Sequence, residues 1–160
     1  MAVSLACPIS GNQRDNNVAR VVAGFSLLIA AVVVLIAQFA SVGVAALISG
    51  LLTIDFAIRA FFKPKYSPLA TVGRALTSGL GLKPKMVDGA PKIFAARIGF
   101  LFTISSTLLF ALGQAPAASV VLGILVVCAF LESAFSFCLG CWVYSILPKG
   151  VASALSKGIN

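Results

Sequence analysis

The sequence predicts an all-α integral membrane protein, a bundle of four transmembrane helices in two hairpins with a short interfacial amphipathic helix between spans two and three. Hydrophobic residues make up 60% of the chain and charged residues 10%, and the mean hydropathy is +1.08. These values lie far outside the range of soluble domains. Four apolar runs are each long enough for a helix that crosses the bilayer. The basic residues cluster on one side of those runs.

The placement of the basic residues explains the net charge of +8. Lys and Arg flank the first and last apolar runs and occupy the connection between the second and third: Arg14, Arg20, Lys63, Lys65, Arg74, Lys83, Lys85, Lys92, Lys149 and Lys157. The connections near residues 38–43 and 113–117 contain none. This positive-inside pattern predicts cytoplasmic N- and C-termini in the cell inner (plasma) membrane. Nucleic-acid binding would require cations interleaved with exposed aromatic residues, so we expect no nucleic-acid partner.

The chain divides into an N-terminal cytoplasmic segment at 1–17, a membrane domain at 18–147 and a cytoplasmic tail at 148–160. No apolar h-region follows the first Met, so the N-terminal segment is not a cleaved signal peptide. The spans are predicted at residues of about 18–40, 42–62, 93–112 and 117–140. The first two lie so close together in sequence that only a hairpin can join them.

Two further features shape the membrane domain. Ser67 and Pro68 predict the N-cap and first residue of the interfacial helix, at about 68–79, where apolar residues recur at helical spacing. The last apolar stretch, residues 117–147, would be about 46 Å long as one helix. Because that exceeds the bilayer thickness, we expect its final turns to emerge from the membrane or to break at Gly140.

A polar cluster is predicted in the cytoplasmic half of the spans. Its members are Arg20, Asp55, Arg59, Arg97 and Glu132. An unpaired charge there costs at least ~2.5–3.5 kcal/mol, so such residues face one another or a wet cavity. Asp55 and Arg59, four positions apart, share a helix face and can pair; this pair is interpreted as structural, with a direct functional role as the alternative. The excess of cations over acids favours a thiolate or a small bound anion.

Cys138 and Cys141 form a CxxC pair just beyond Glu132, and the topology places Cys7 on the same side. The pair could form a disulfide, a bis-thiolate metal site, or a thiol and persulfide relay. A reducing cytoplasm argues against a permanent disulfide. A zinc or iron–sulfur site would need a fourth ligand and the chain has no His, so no metal is assigned and the cofactor is unknown. Cys128 is interpreted as a buried small hydrophobic residue.

Six features are distributed along the chain: Cys7-Pro8, Val18-Ala19-Arg20, Asp55-Phe56-Ala57-Ile58-Arg59-Ala60, Pro91-Lys92-Ile93-Phe94-Ala95-Ala96-Arg97-Ile98-Gly99, Glu132, and Phe137-Cys138-Leu139-Gly140-Cys141-Trp142-Val143-Tyr144. Together they resemble an uncharacterised bacterial family of small integral membrane proteins that is known only by a domain-of-unknown-function label. The resemblance covers residues 7 to 147 and implies the membrane fold and topology. It also implies a context of thioredoxin-like and sulfurtransferase proteins, which favours thiol redox or sulfur handling.

The first functional hypothesis is therefore a membrane protein with a cytoplasm-facing thiol site. Cys138, Cys141 and Cys7 would be its reactive thiols, Glu132 would transfer a proton, and Arg59 and Arg97 would stabilise anionic sulfur. Whether this site makes the protein an enzyme is left open by the sequence.

Three alternatives stay open. The protein could be a structural or accessory subunit of a membrane complex, with the polar cluster holding the bundle together. It could be a quinone-coupled disulfide oxidoreductase, whose thiols would face the other side of the membrane, or a small-anion transporter. The expected partners are the lipid bilayer, a thioredoxin-like or sulfurtransferase protein, and a second copy of the chain, because small residues such as Gly24, Ala45 and Ser49 permit close helix contacts.

Overall fold

A computed structural model describes residues 13–62 and 66–147. Cys7 and the C-terminal tail lie outside the described residues. The elements, in chain order, are β1 (Gln13–Asp15), α1 (Asn16–Phe39), α2 (Val42–Phe61), α3 (Pro68–Gly79), β2 (Met86–Asp88), α4 (Gly89–Ala111), α5 (Ala115–Phe135) and α6 (Leu139–Ile146). Within the described residues, α1, α2, α4 and α5 are long and apolar enough to cross a membrane. The predicted helical membrane fold with four spans is confirmed.

The four long helices pack into one bundle, in which α2 lies mainly against α4 and α1 against α5. Their shared core contains Val33, Leu52, Phe56, Phe110, Leu122 and Leu125. Small polar side chains tie α2 to α4, since the Ser49 and Thr107 hydroxyls lie 2.8 Å apart. Large apolar residues such as Leu47, Leu51 and Leu101 are exposed on the outside of the bundle, as expected of a surface that faces lipid.

The helix α3, predicted to lie in the membrane interface, forms where Ser67 and Pro68 predict it. The Ser67 hydroxyl accepts a hydrogen bond from the Ala70 backbone N–H, and Pro68 occupies the first turn, where its missing N–H leaves no hydrogen bond unmade. The small-residue side of α3 packs on α1, so closely that a Cβ on Gly73 would lie 2.7 Å from Val22 Cγ2. The residues Val72, Leu76 and Leu80 are exposed, so the other side of α3 presents its apolar surface outward.

A two-stranded ribbon was not predicted from the sequence. β1 pairs with β2 in antiparallel register, with Arg14 opposite Val87, and so ties the start of α1 to the start of α4. α4 follows β2 directly and begins at Gly89, earlier than the predicted Ile93. Pro91 does not prevent this, because it lies in the first helical turn.

The predicted break in the last apolar stretch lies at Ser136 rather than at Gly140. Ser136 has a left-handed backbone with φ 57°, and its N–H donates to the carbonyls of Glu132 and Leu131, which is how many helices terminate. α6 then packs on α4, with the ring of Tyr144 centred 5.7 Å from that of Phe94. Gly140 lies inside α6 and permits this contact, because a Cβ there would be 2.7 Å from Ala95 Cβ.

Candidate functional site

A cavity of about 900 Å³ opens between the helices at the end of the bundle where α3, α6 and the ribbon lie. Every helix contributes to its wall. Its polar lining residues include Arg14, Asp15, Ser26, Arg59, Arg74, Lys92, Cys128, Glu132 and Cys138. Most of the remaining wall is apolar. The volume falls within the usual range for small-molecule pockets, so this is the candidate site.

Cys138 occupies the N-cap of α6, and its sulfur accepts a hydrogen bond from the Cys141 backbone N–H at 3.3 Å. The αL turn at Ser136 ends α5 and so makes a new helix N-terminus at this point in the chain. The free N–H groups and dipole of a helix N-terminus stabilise a thiolate. Both cysteines are half-buried free thiols, and Cys138 lines the cavity.

The two thiols of the CxxC pair are not equivalent. A hydrogen bond from the Cys141 side chain lowers the pKa of Cys138 below its ordinary value, helped by the charge of Lys92 and opposed by burial and by Glu132. The same hydrogen bond raises the pKa of Cys141, and burial raises it further. Cys138 is therefore the thiol poised to ionise, and Cys141 is the one that keeps its proton.

Lys92 and Glu132 both line the cavity, and their charges act on the Cys138 thiol. Lys92 is half-buried in the first turns of α4, and its Nζ donates a hydrogen bond to Asn16 Oδ1 at 2.8 Å. Glu132 lies one turn before the end of α5. A cation and a carboxyl group thus share the cavity wall with the Cys138 sulfur.

Asp55 and Arg59 form the predicted ion pair, with Arg59 Nη2 2.6 Å from Asp55 Oδ2. Asp55 is only 3% exposed, and its other oxygen accepts hydrogen bonds from the Ser67 hydroxyl at 2.6 Å and from the Leu69 N–H at 3.3 Å. Asp55 therefore anchors the N-terminus of α3 to α2. The Arg59 guanidinium stacks 4.1 Å over the Phe56 ring and lines the cavity.

The other two arginines of the predicted polar cluster lie elsewhere. Arg20 donates to the carbonyl oxygens of Ser133 and Ala134, at 3.1 Å and 3.4 Å for Nη2, and so caps the C-terminal end of α5. The Arg97 guanidinium lies 5.9 Å from the centre of the Phe61 ring. Neither side chain belongs to the cavity wall described above.

A family match completes the description of the chain. The model of a family described as "Domain of unknown function (DUF4395)" matches residues 15–149. The chain belongs to this family. No curated protein and no solved structure matches the chain. The family's description states no activity, so the chemistry of this DUF4395 member has to be argued from its site.

Arg14 and Lys92 of this DUF4395 chain are site residues that the sequence reasoning did not select. Both were counted among the flanking positive charges, and only the ribbon and the early start of α4 bring them to the cavity. Within residues 13–62 and 66–147, no three His, Cys, Asp or Glu side chains come together as metal ligands. Cys128, lining the same cavity one turn before Glu132, is half-buried.

Proposed function

We propose that the protein is a membrane thiol oxidoreductase in which Cys138 is the attacking thiolate and Cys141 the resolving thiol. The observation that carries this proposal is the position of Cys138 at the N-cap of α6, where its sulfur accepts the Cys141 N–H at 3.3 Å. A thiolate is the nucleophile in disulfide exchange, and the shifts in the pKa values of the pair favour Cys138 for that role.

The reaction is a two-step exchange with a disulfide of a thioredoxin-like protein. The Cys138 thiolate attacks one sulfur of that disulfide, a new S–S bond forms, and the partner's other sulfur leaves with the electron pair and takes up a proton. Cys141 then transfers its proton to the Glu132 carboxylate and attacks the Cys138 sulfur. The partner's second thiol is released, so two electrons pass from the pair to the partner and Cys138–Cys141 becomes a disulfide. The reverse sequence reduces the pair.

The site would face the cytoplasm of a cell with the protein in its inner membrane, and both termini would lie on that side. The Lys and Arg distribution supports this orientation, because Arg14, Lys83, Lys85 and Lys92 all lie at the ribbon end of the bundle together with α6. Labelling with a membrane-impermeant maleimide distinguishes a site on the cytoplasmic face from one on the outer face. Labelling of Cys138 in inverted vesicles but not in intact cells supports the proposal, whereas the opposite pattern would favour a quinone-coupled oxidoreductase of the outer face.

The exchange chemistry is tested by trapping. In a Cys7→Ser, Cys128→Ser background, Cys141→Ser should accumulate a mixed disulfide with a thioredoxin whose second active-site cysteine is replaced by serine and whose remaining thiol is activated with thionitrobenzoate. Neither protein then has a thiol that can resolve the mixed disulfide. The matched Cys138→Ser variant should not accumulate it. Equal trapping by both variants, or by neither, contradicts the assigned roles.

The pH dependence of alkylation gives a second test in the same background. The iodoacetamide reactivity of Cys138 should rise through a midpoint below the value of about 8.5 for an ordinary cysteine. Cys141→Ala removes the hydrogen bond that lowers the pKa of Cys138, so the midpoint should move upward. Lys92→Met should move it upward as well. Arg97→Met, a cation outside the cavity wall, should leave it in place. An unshifted midpoint in every variant would show that the pair is chemically ordinary.

A structural or accessory role in a membrane complex is the second candidate, and the Asp55 anchor favours it. Asp55 is buried in α2, where it pairs with Arg59, and it joins α2 to α3 through Ser67 and Leu69. These contacts stabilise the bundle. This role predicts that Asp55→Asn abolishes a co-purifying complex while Cys138→Ser and Cys141→Ser leave it intact. If the Cys138→Ser strain lost growth under thiol stress while the complex stayed intact, the accessory role would be rejected.

A further inference from the structure

The cavity is amphipathic along its length. Arg14 and Lys92 line it at the ribbon end, while Phe102 and Leu125 line it deeper in the bundle. Lys92 and Phe102 are ten positions apart on α4 (92 to 102), or about 15 Å along the helix axis. The cavity therefore extends from a polar entrance at the end of the spans to an apolar interior.

Positive charge dominates the polar end. The basic lining residues are Arg14, Arg59, Arg74 and Lys92, and the acidic ones are Asp15 and Glu132. Asp15 is already engaged, because its Oδ1 accepts hydrogen bonds from the backbone N–H groups of Asn17 at 2.9 Å and Lys85 at 3.1 Å. Arg59 is paired with Asp55, which leaves Arg14, Arg74 and Lys92 against Asp15 and Glu132, an excess of one positive charge (three less two).

Arg14 and Arg59 repel each other across this end of the cavity. Burial lowers the pKa of Arg14, and the charge of Arg59 lowers it further. Arg59 pairs with Asp55 through Nη2, but its buried Nε has no hydrogen-bond partner among the described residues. A buried donor to which nothing is bonded costs about 1–3 kcal/mol. The Arg59 Nε is covered by the protein, whereas a negatively charged oxygen beside Arg14 would offset the repulsion between the two guanidinium groups.

We propose that the cavity binds an amphiphile that has an anionic head group and a hydrocarbon chain. The head group lies at Arg14 and Lys92, and the chain extends between α1, α4 and α5 towards Phe102 and Leu125. A free fatty acid and an anionic membrane phospholipid both have this chemistry. This binding function does not rest on the thiol exchange proposed above, although both use the cavity wall that carries Lys92 and Cys138.

The experiment uses the full-length protein in a nonionic maltoside detergent with a dansyl-labelled undecanoic acid as the fluorescent probe. Laurate and methyl laurate, which differ in head-group charge, compete with the probe, and phosphatidylglycerol competes in a separate arm. Laurate should displace the probe and the methyl ester should not. Displacement by phosphatidylglycerol instead of laurate supports the same chemistry and identifies a membrane lipid as its source.

Charge variants test the head-group position. Arg14→Gln and Lys92→Gln should each weaken probe binding about tenfold, the effect of losing one hydrogen bond to a charged group. Lys83→Gln is the matched control, because Lys83 is exposed and its side chain is not part of the cavity wall. This variant should bind the probe as tightly as the wild type does. Ala96→Phe fills the cavity and should abolish binding, with a thermal melt to verify folding.

Two results would overturn the proposal. The first is equal displacement by laurate and its methyl ester, which would show an apolar void without head-group recognition. The second is equal weakening by Lys83→Gln and Arg14→Gln, which would show a general effect of surface charge. Thioredoxin trapping by Cys138 is measured in parallel, so a failure of lipid binding is distinguishable from a failure of the thiol chemistry.

Discussion

Replacing Gly140 by alanine tests whether the contact between α6 and α4 positions the thiol pair. The added Cβ would lie 2.7 Å from Ala95 Cβ, 2.8 Å from Ala95 Cα and 3.5 Å from Ala95 N. These atoms belong to the backbone and first side-chain carbon of a membrane-spanning helix, so no rotamer change can relieve the clash. Restoring ordinary contact at 3.4 Å requires α6 to move outward by at least 0.7 Å (3.4 less 2.7).

The energetic cost follows from two opposing effects. Overpacking of this kind costs about 1–3 kcal/mol, and a Gly→Ala change inside a helix returns about 1 kcal/mol. The net loss is about 1 kcal/mol, because α6 is an eight-residue helix that can shift without unfolding the bundle. For a chain of this size, that corresponds to a melting temperature lower by about 2–4 °C.

The larger effect should be on the thiols. Cys138 and Cys141 move together with α6, so the hydrogen bond between them survives, but Cys138 moves away from α4 and from Lys92. We expect a higher pKa of Cys138, seen as an upward shift of its midpoint when iodoacetamide labelling is measured at several pH values. Well above that midpoint, where the thiol is ionised in either protein, both thiols should be labelled faster than in the wild type because α6 packs less closely. Gly123→Ala is the control, because its Cβ meets nothing within 4 Å; its melting temperature should not fall. Wild-type labelling rates in Gly140→Ala would refute the packing argument.

Three further substitutions test the bundle, each through melting in detergent. Gly99→Ala places a Cβ against the Phe56 ring, 2.7 Å from its Cδ1, and should cost about 1–3 kcal/mol; an unchanged melt would mean that α2 and α4 pack less closely. Asp55→Asn leaves the Arg59 charge buried without its partner and should cost about 3–5 kcal/mol; a loss below 1 kcal/mol would contradict the anchor role. Arg20→Met removes the hydrogen bonds to the carbonyl oxygens at the end of α5 and should cost about 1–2 kcal/mol. Hydrogen-exchange protection of the backbone amides in the last turn of α5 should fall with it.

The sequence predicted the spans well because their signal is local. A run of apolar residues must form a helix in lipid, where only internal hydrogen bonds satisfy the backbone, and its length can be counted directly. The signal for the start of α3 was equally local, since Ser67 supplies the N-cap and Pro68 the first helical residue. The β1–β2 ribbon was missed because each strand has three residues and exists only through its pairing with a distant segment.

The polar cluster shows where this kind of prediction ends. Helical rise fixes the depth of a residue in the membrane, so the sequence could place Arg20, Arg59 and Arg97 at similar depths. Rotation of each helix about its own axis depends on packing that the sequence does not display. Arg20 consequently turns toward the end of α5 and Arg97 toward Phe61, while Arg59 lines the cavity. The sequence therefore predicted the depth of each arginine in the membrane but not the direction in which its side chain points.

Arg59 connects the two polar systems of the protein. Its Nη2 is paired with Asp55, which in turn holds the N-terminus of α3, so that charge is largely neutralised where it lies. The positive charge that acts on Cys138 comes instead from Lys92, which reaches the cavity because α4 begins at Gly89. The acidic anchor and the thiol site thus use different cations. A substitution at Lys92 should therefore disturb the thiols and leave the Asp55 anchor intact, whereas one at Asp55 disturbs the bundle and also frees the Arg59 charge in the cavity wall.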